Sequence, residues 1–115
     1  MNNSTIQAIE ENIREARKIV ELGNALERLM SNRDFKQVVK EGYFEQEAIR
    51  LVHLKADPSF QSADMQKSIV TQIDAIGAVT QYFNTVLHRA GQAEKAIEAD
   101  EEARDELLAE DLTNV

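Results

Sequence analysis

Histidines and paired carboxylates are the side chains of this sequence with the most chemistry to offer, and their spacing decides whether they could act together. A di-metal site in a helical bundle needs a glutamate three residues before a histidine, so that both ligands project from one helical face. The residue three before His53 is Arg50, and the residue three before His88 is Thr85. No His-Glu-x-x-His pair occurs either. Glu10/Glu11 and Glu45/Glu47 supply acids in number. General acid–base work, however, needs a carboxylate whose pKa is moved by burial or by a coupled neighbour, and solvated pairs on a charged helix do not provide one. The acidic run Glu98–Glu106 lacks the glycine and the alternating oxygen ligands of a calcium loop. There is no cysteine, no glycine-rich phosphate loop and no Gly-x-Ser-x-Gly elbow. The residues therefore predict no catalytic residues, no cofactor and no metal site, and hence a protein that is not an enzyme.

What remains is an aromatic corner. The stretch "RDFKQVVKEGYFEQEAIRLVHLKADP", Arg33 to Pro58, holds Phe35, Tyr43 and Phe44, half of the chain's six aromatic residues. One reading is a clasp: Phe35, Val38 and Val39 face a core, Gly42 turns the chain in a left-handed C-cap, and Phe44 staples the next helix. A second is a partner-binding surface on the exposed parts of Tyr43 and Phe44. The two are compatible, because tyrosine offers an apolar ring and a wet hydroxyl at once. A third, a catalytic pocket, is the least favoured of the three.

The elements that position this corner all read as helices. Ile6, Ile9, Ile13, Ala16, Val20 and Gly23 follow a three-four spacing within a helix from about Ser4, with Ser4 or Thr5 as its cap, to Met30. Ile19, Leu22, Leu26, Leu29 and Met30 form a second, offset row. Gly23 either permits close approach of another helix or is merely tolerated. "SNRD" breaks the pattern, Asn32 or Asp34 caps a short helix from Phe35 to Glu41, and Glu45 to Ala56 is the next helix, stopped by Pro58. Ser62 caps a long helix from Ala63 to about Arg89, with Ile69, Ile73, Ile76, Thr80, Phe83 and Leu87 on its apolar stripe. Gly91 marks a kink or boundary. The polar stretch after it, with a thin row of Ala93, Ala96 or Ile97, Ala103 or Arg104, Leu107 and Leu108, either continues the long helix, folds back, or orders on a partner.

The charge is unevenly placed. Residues 1–90 hold 12 acids and 11 basic residues, whereas residues 91–115 hold 9 acids against Lys95 and Arg104. This argues against an extended basic face for a nucleic-acid backbone and suits a basic protein partner or a solvated tail. No apolar run approaches the roughly 18 residues that span a bilayer. The first residues lack the basic start and apolar stretch of a secretory signal, so an intracellular setting is expected.

Two patterns, "NRDFKQVVKEGYFEQEAIRLVHLKADPSFQS" and "QIDAIGAVTQYFNTVLHRAG", together spanning roughly Leu29 to Gly91, resemble a kind of small helical protein of tailed bacteriophages, encoded among genes for virion structure and assembly. The resemblance implies a component of the phage particle, located in the virion or in the cytoplasm of the infected cell. It would act by contacts with itself or with larger proteins such as the portal, connector or capsid, with no direct role for nucleic acid, membrane or a small-molecule substrate. Scaffolding proteins often end in a basic capsid-binding helix; here the corresponding stretch is acidic.

The sequence thus predicts an all-α fold: a small bundle of three principal helices with a short corner helix in a core domain of residues 1–90, and a polar, acidic helical extension of residues 91–115. The rows Ile6–Met30, Phe44–Leu54 and Ile69–Leu87 are expected to pack together. Phe35, Tyr43, Phe44, Ile69, Ile73, Ile76, Phe83 and Leu87 are the expected protein interface. The expected function is structural, by helix-mediated contacts within a homo-oligomer or a virion. The alternative is a small acidic regulator that inhibits a host or phage protein by mimicking nucleic acid.

Overall fold

A computed structural model of the chain describes residues 2–113, and every regular element among them is helical. Helix α1 (Asn2–Met30) is followed by a single turn, α2 (Arg33–Phe35). A π-helical segment (Lys36–Glu47) leads directly into α3 (Ala48–Ala56). A 3₁₀ turn (Pro58–Phe60) then connects to α4 (Ala63–Thr113). The all-α expectation holds.

Several end signals act as expected. The Asn32 side chain accepts the Phe35 N–H at 3.0 Å, so Asn32 rather than Asp34 is the cap. Ser62 Oγ accepts the Met65 N–H at 3.2 Å and opens α4. Asp57 Oδ1 accepts the Ser59 N–H at 2.8 Å, and Pro58 follows the end of α3. The α3–α4 corner is tied from both sides: Gln61 Nε2 donates to the Lys55 and Asp57 carbonyls at 3.0 and 2.7 Å, and Gln66 Nε2 donates to those of Lys55 and Phe60 at 3.0 and 2.7 Å. These bonds satisfy carbonyls that the end of a helix leaves without intrahelical donors.

Other signals do not act as expected. Ser4 and Thr5 lie inside α1, which is already helical at Asn2. Gly42 is not a left-handed cap, since no glycine has positive φ. The helical path instead continues through it with hydrogen bonds that reach one residue further back than in an α-helix. Gly91 neither ends nor interrupts α4.

Contacts group the chain into two compact units, one discontinuous in sequence (up to Leu26 and from Val86 onward) and one continuous (Glu27–Thr85). Residues 91–113 fall in the same unit as the first part of α1.

In the split unit the first row of α1 is the inward one, joined at its end by Leu26, a buried member of the offset row. Ile13 and Gly23 are buried, and Ile6, Ile9, Ala16 and Val20 are half-buried. On α4 the inward positions are Val86, Ala90 and Ala93, all buried, then Ile97, Asp100, Arg104 and Leu107, half-buried. Both rows keep alternating steps of three and four, the seam pattern of a coiled coil. A Cβ placed on Gly23 would lie 2.3 Å from the Ala90 Cβ. Arg17 Nη2 meets Glu101 Oε1 at 3.4 Å. From Arg17 to Gly23 the partner position falls from Glu101 to Ala90, so the two helices run antiparallel. Gly23 therefore serves close approach.

In the continuous unit α3 packs on α4 around Leu51, Ile69 and Ile76, with Tyr43, Phe44, Ala48, Leu54, Phe60 and Ile73 against them. The expected joining of three apolar rows is thus only partly realised. The Phe44–Leu54 and Ile69–Ile76 rows meet, while the Ile6–Gly23 row is covered within the split unit by the stretch of α4 from Val86 onward.

Candidate docking surfaces

The π winding explains how the aromatic corner is assembled. In the segment from Phe35 to Ala48 the half-buried positions include Phe35, Val39, Phe44 and Ala48, steps of four, five and four. An α-helical period of 3.6 would have turned Phe44 away from Phe35. The wider turn keeps both rings on one face and leaves Val38, expected in the core, 67% exposed. Gly42 fits the wide turn closely, since a Cβ there would come within 3.1 Å of the Gln37 carbonyl oxygen.

On α4, Phe83 receives these rings. Its centroid lies 6.0 Å from Phe35 and 5.7 Å from Phe44, the latter edge-on at 70°. Tyr43 extends the cluster through Phe44 at 5.8 Å, and Tyr82 extends it through Phe83 at 6.1 Å. Such edge-to-face and tilted pairs are the arrangements that ring quadrupoles favour.

Beside the rings is a cleft of about 140 Å³. Met30, Phe35, Phe44 and Phe83 form its apolar walls, and Lys40, Thr80 and Asn84 complete it. The Thr80 hydroxyl donates to the Ile76 carbonyl at 3.0 Å and so spends its hydrogen on its own helix. An engineered cavity of similar size, about 150 Å³ and lined by apolar side chains, accommodates benzene. The cleft therefore has room for one ring or one branched aliphatic side chain.

Of the residues expected at an interface, Phe35, Tyr43, Phe44, Ile69, Ile73, Ile76 and Phe83 come together in the continuous unit, while Leu87 lies in the split unit, half-buried. Ile69 and Ile76 are only 4% and 7% exposed, so their surface is taken up within the chain. Phe35, Phe44 and Phe83 keep a half-buried face at the cleft. Tyr82, beside Phe83, is 57% exposed, and other apolar side chains open to solvent lie along the helices. They include Val38, Ile49 and Val52 around α3, Ile19 and Leu22 on α1, and Leu108 and Leu112 near the end of α4. Ile19 and Leu22 belong to the offset row whose existence the spacing revealed; Leu112 had only its position four residues after Leu108 to mark it.

His53 and His88 are both exposed. Among the described residues no group of three or more potential ligands could hold a metal ion, and no helix is long and apolar enough to cross a membrane. Two carboxylates have displaced pKa values. Glu11 and Glu47 are held below the ordinary glutamate value, in each case first by a hydrogen bond from the arginine three residues on, Arg14 or Arg50. Both pairs are surface pairs along one helical turn.

The fold and the clefts define an all-α protein whose surface features are apolar rows and charged helix faces. Comparison with protein-family models, with curated proteins and with solved structures finds no match.

Proposed function

We propose that this chain is a non-enzymatic interaction protein that works by helix-mediated docking, and that its setting is the assembly or structure of a tailed-phage particle. The observation that carries the docking reading is the aromatic cleft at Phe35, Phe44 and Phe83, a ring-sized apolar recess beside helices that expose Val38, Ile49, Val52 and Tyr82. Apolar anchors of this kind supply most of the energy of a protein interface when a partner buries them. The phage setting rests on the resemblance of the Asp34–Lys36, Gly42–Phe44, Glu47–Pro58 and Ile73–Phe83 patterns.

A second reading draws on α4, where Glu94, Glu98, Glu102, Asp105, Glu106 and Glu110 all face solvent. A surface so acidic suits an inhibitor that occupies a basic nucleic-acid site. The two readings differ in salt dependence, because screening weakens contacts between exposed charges and leaves apolar docking largely intact.

The test is native mass measurement of the chain isolated from its own source, together with purified particles probed for its presence. A defined complex that survives high salt is expected, with the chain present in the particle at fixed copy number. A lone monomer absent from particles would overturn the reading, and a complex lost on raising salt would favour the inhibitor.

A further inference from the structure

The charged residues near the cleft are unequally shared. Lys40 lines it, Lys36 stands four residues earlier on the same helical segment, and Arg33 three before that. Among the described residues none of the three is in an ion pair, although Asp34 and Glu41 neighbour them in sequence. Across the cleft, the stretch of α4 from residue 75 to residue 87 carries no charge at all. The recess is therefore apolar with cations at one rim, and it suits an apolar side chain flanked by carboxylates.

The end of α4 presents that chemistry. Leu108 and Leu112 are four residues apart, so they share a helical face. Leu108 is 44% exposed, and Leu112, at 81%, is the most exposed large apolar side chain described. Asp105, Glu106 and Glu110, all exposed, surround the pair. Resting on the docking reading above, we infer that a second copy of this chain is the partner of the cleft, with its Leu112 seated against Phe35, Phe44 and Phe83 and its carboxylates facing Lys36 and Lys40. The two patches differ, so the contact is heterologous: each copy that offers its helix end keeps its own cleft open to another, and assembly continues into a ring or a filament.

Full-length variants test this by sedimentation over a range of concentrations. The wild-type mass is expected to rise past that of a dimer as concentration increases and to stay there at high salt, because the apolar anchor carries the contact and the rim charges only orient it. An end-blocked chain, Leu108→Glu with Leu112→Glu, and a cleft-blocked chain, Lys40→Glu with Asn84→Trp, should each remain monomeric. All four positions lie at exposed sites, and circular dichroism checks that both variants keep their helices. Mixed, the two should form a one-to-one dimer and nothing larger, since each retains the half that the other lacks.

The inference is overturned if the wild type is monomeric throughout, if either blocked chain assembles like the wild type, or if two helical blocked chains fail to pair. A monomeric wild type whose Phe83 ring signals shift on titration with phenylacetate would assign the cleft to a small apolar acid, also against a second copy. Failure here is separable from failure of the docking reading: an end-blocked chain still found in particles at wild-type copy number sinks the self-contact alone.

Discussion

Residues 27–85 close their helices around Leu51, Ile69, Ile76 and a run of aromatic rings, whereas the split unit closes around Gly23, Ala90 and Ala93. One uses volume and the other uses nearness. Bulky side chains hold helices apart and fill the gap with many weak contacts, so deleting atoms is what harms them. Small residues bring backbones together, so adding atoms is what harms them. The split unit also sets Asp100 and Arg104 at seam positions, half-buried, whereas the centre of the continuous unit, Leu51, Ile69 and Ile76, is apolar. Polar residues in a seam cost stability and fix register, since any slip would carry them under the apolar row of the partner.

Truncation at the centre of the bulky core gives the largest expected effect. Leu51 is 1% exposed, and Leu51→Ala should cost about 2–5 kcal/mol, the range for deleting a buried leucine and leaving a cavity. Denaturant unfolding measures it, and a loss below about 1 kcal/mol would break the contrast, because a core held by volume cannot lose so much of it cheaply.

Gly23→Ala comes next and has the opposite character. Alanine gains about 1 kcal/mol of helix propensity over glycine. The new methyl, however, would sit 2.3 Å from the Ala90 Cβ, which has no flexible end to swing aside. Overpacking of this kind costs about 1–3 kcal/mol, so the clash should at least offset the propensity and most often exceed it. The sharper measurement is the reciprocal swap. Gly23→Ala combined with Ala90→Gly moves one methyl across the seam, cancels the two propensity changes, and should bring the melting temperature back close to wild type. If the double variant is no more stable than Gly23→Ala alone, nearness is not what that contact provides.

A pH series should produce the smallest effect and should not tell the units apart. Each carries one carboxylate lowered by an arginine three residues on, Glu11 in the split unit and Glu47 in the continuous one. A carboxyl whose pKa is lower when folded than when unfolded contributes stability above the unfolded value, near 4.5, and loses it as pH falls through the folded value. Glu47→Gln should therefore be slightly less stable than wild type near neutral pH and equal to it in strong acid. A gap that persists in acid would assign the loss to packing. Surface pairs of this kind are worth little, so the shift should be small beside the other two.

Much of this contrast was legible in the residues. The three-four row from Ile6 to Gly23 names the inward face of α1, and Asn32, Ser62 and Pro58 mark helix ends where the structure has them. The aromatic corner is visible in the sequence as the cluster Phe35, Tyr43 and Phe44, whereas Phe83 shows there only as a member of the α4 stripe. The winding of the corner is not legible there, because an α-helical period of 3.6 puts Val38 inside and makes Gly42 look like a terminus. The far half of α4 was obscured for a different reason. A seam that includes Asp100 and Arg104 does not register as apolar, although its spacing is as regular as that of the row it covers. The cationic rim of the cleft and the exposed Leu108–Leu112 pair have meaning only in three dimensions, since each is an ordinary surface feature until a complementary one is located.

The discontinuity of the split unit has a consequence during synthesis. Within the ridge from Ile6 to Val20, Arg17 is translated 84 residues before Glu101, which it faces in the seam. At about 5–20 residues per second, that part of the ridge waits roughly 4–17 s for its cover. For that interval the nascent chain displays a run of isoleucines that a chaperone would bind, and only completion of α4 releases it.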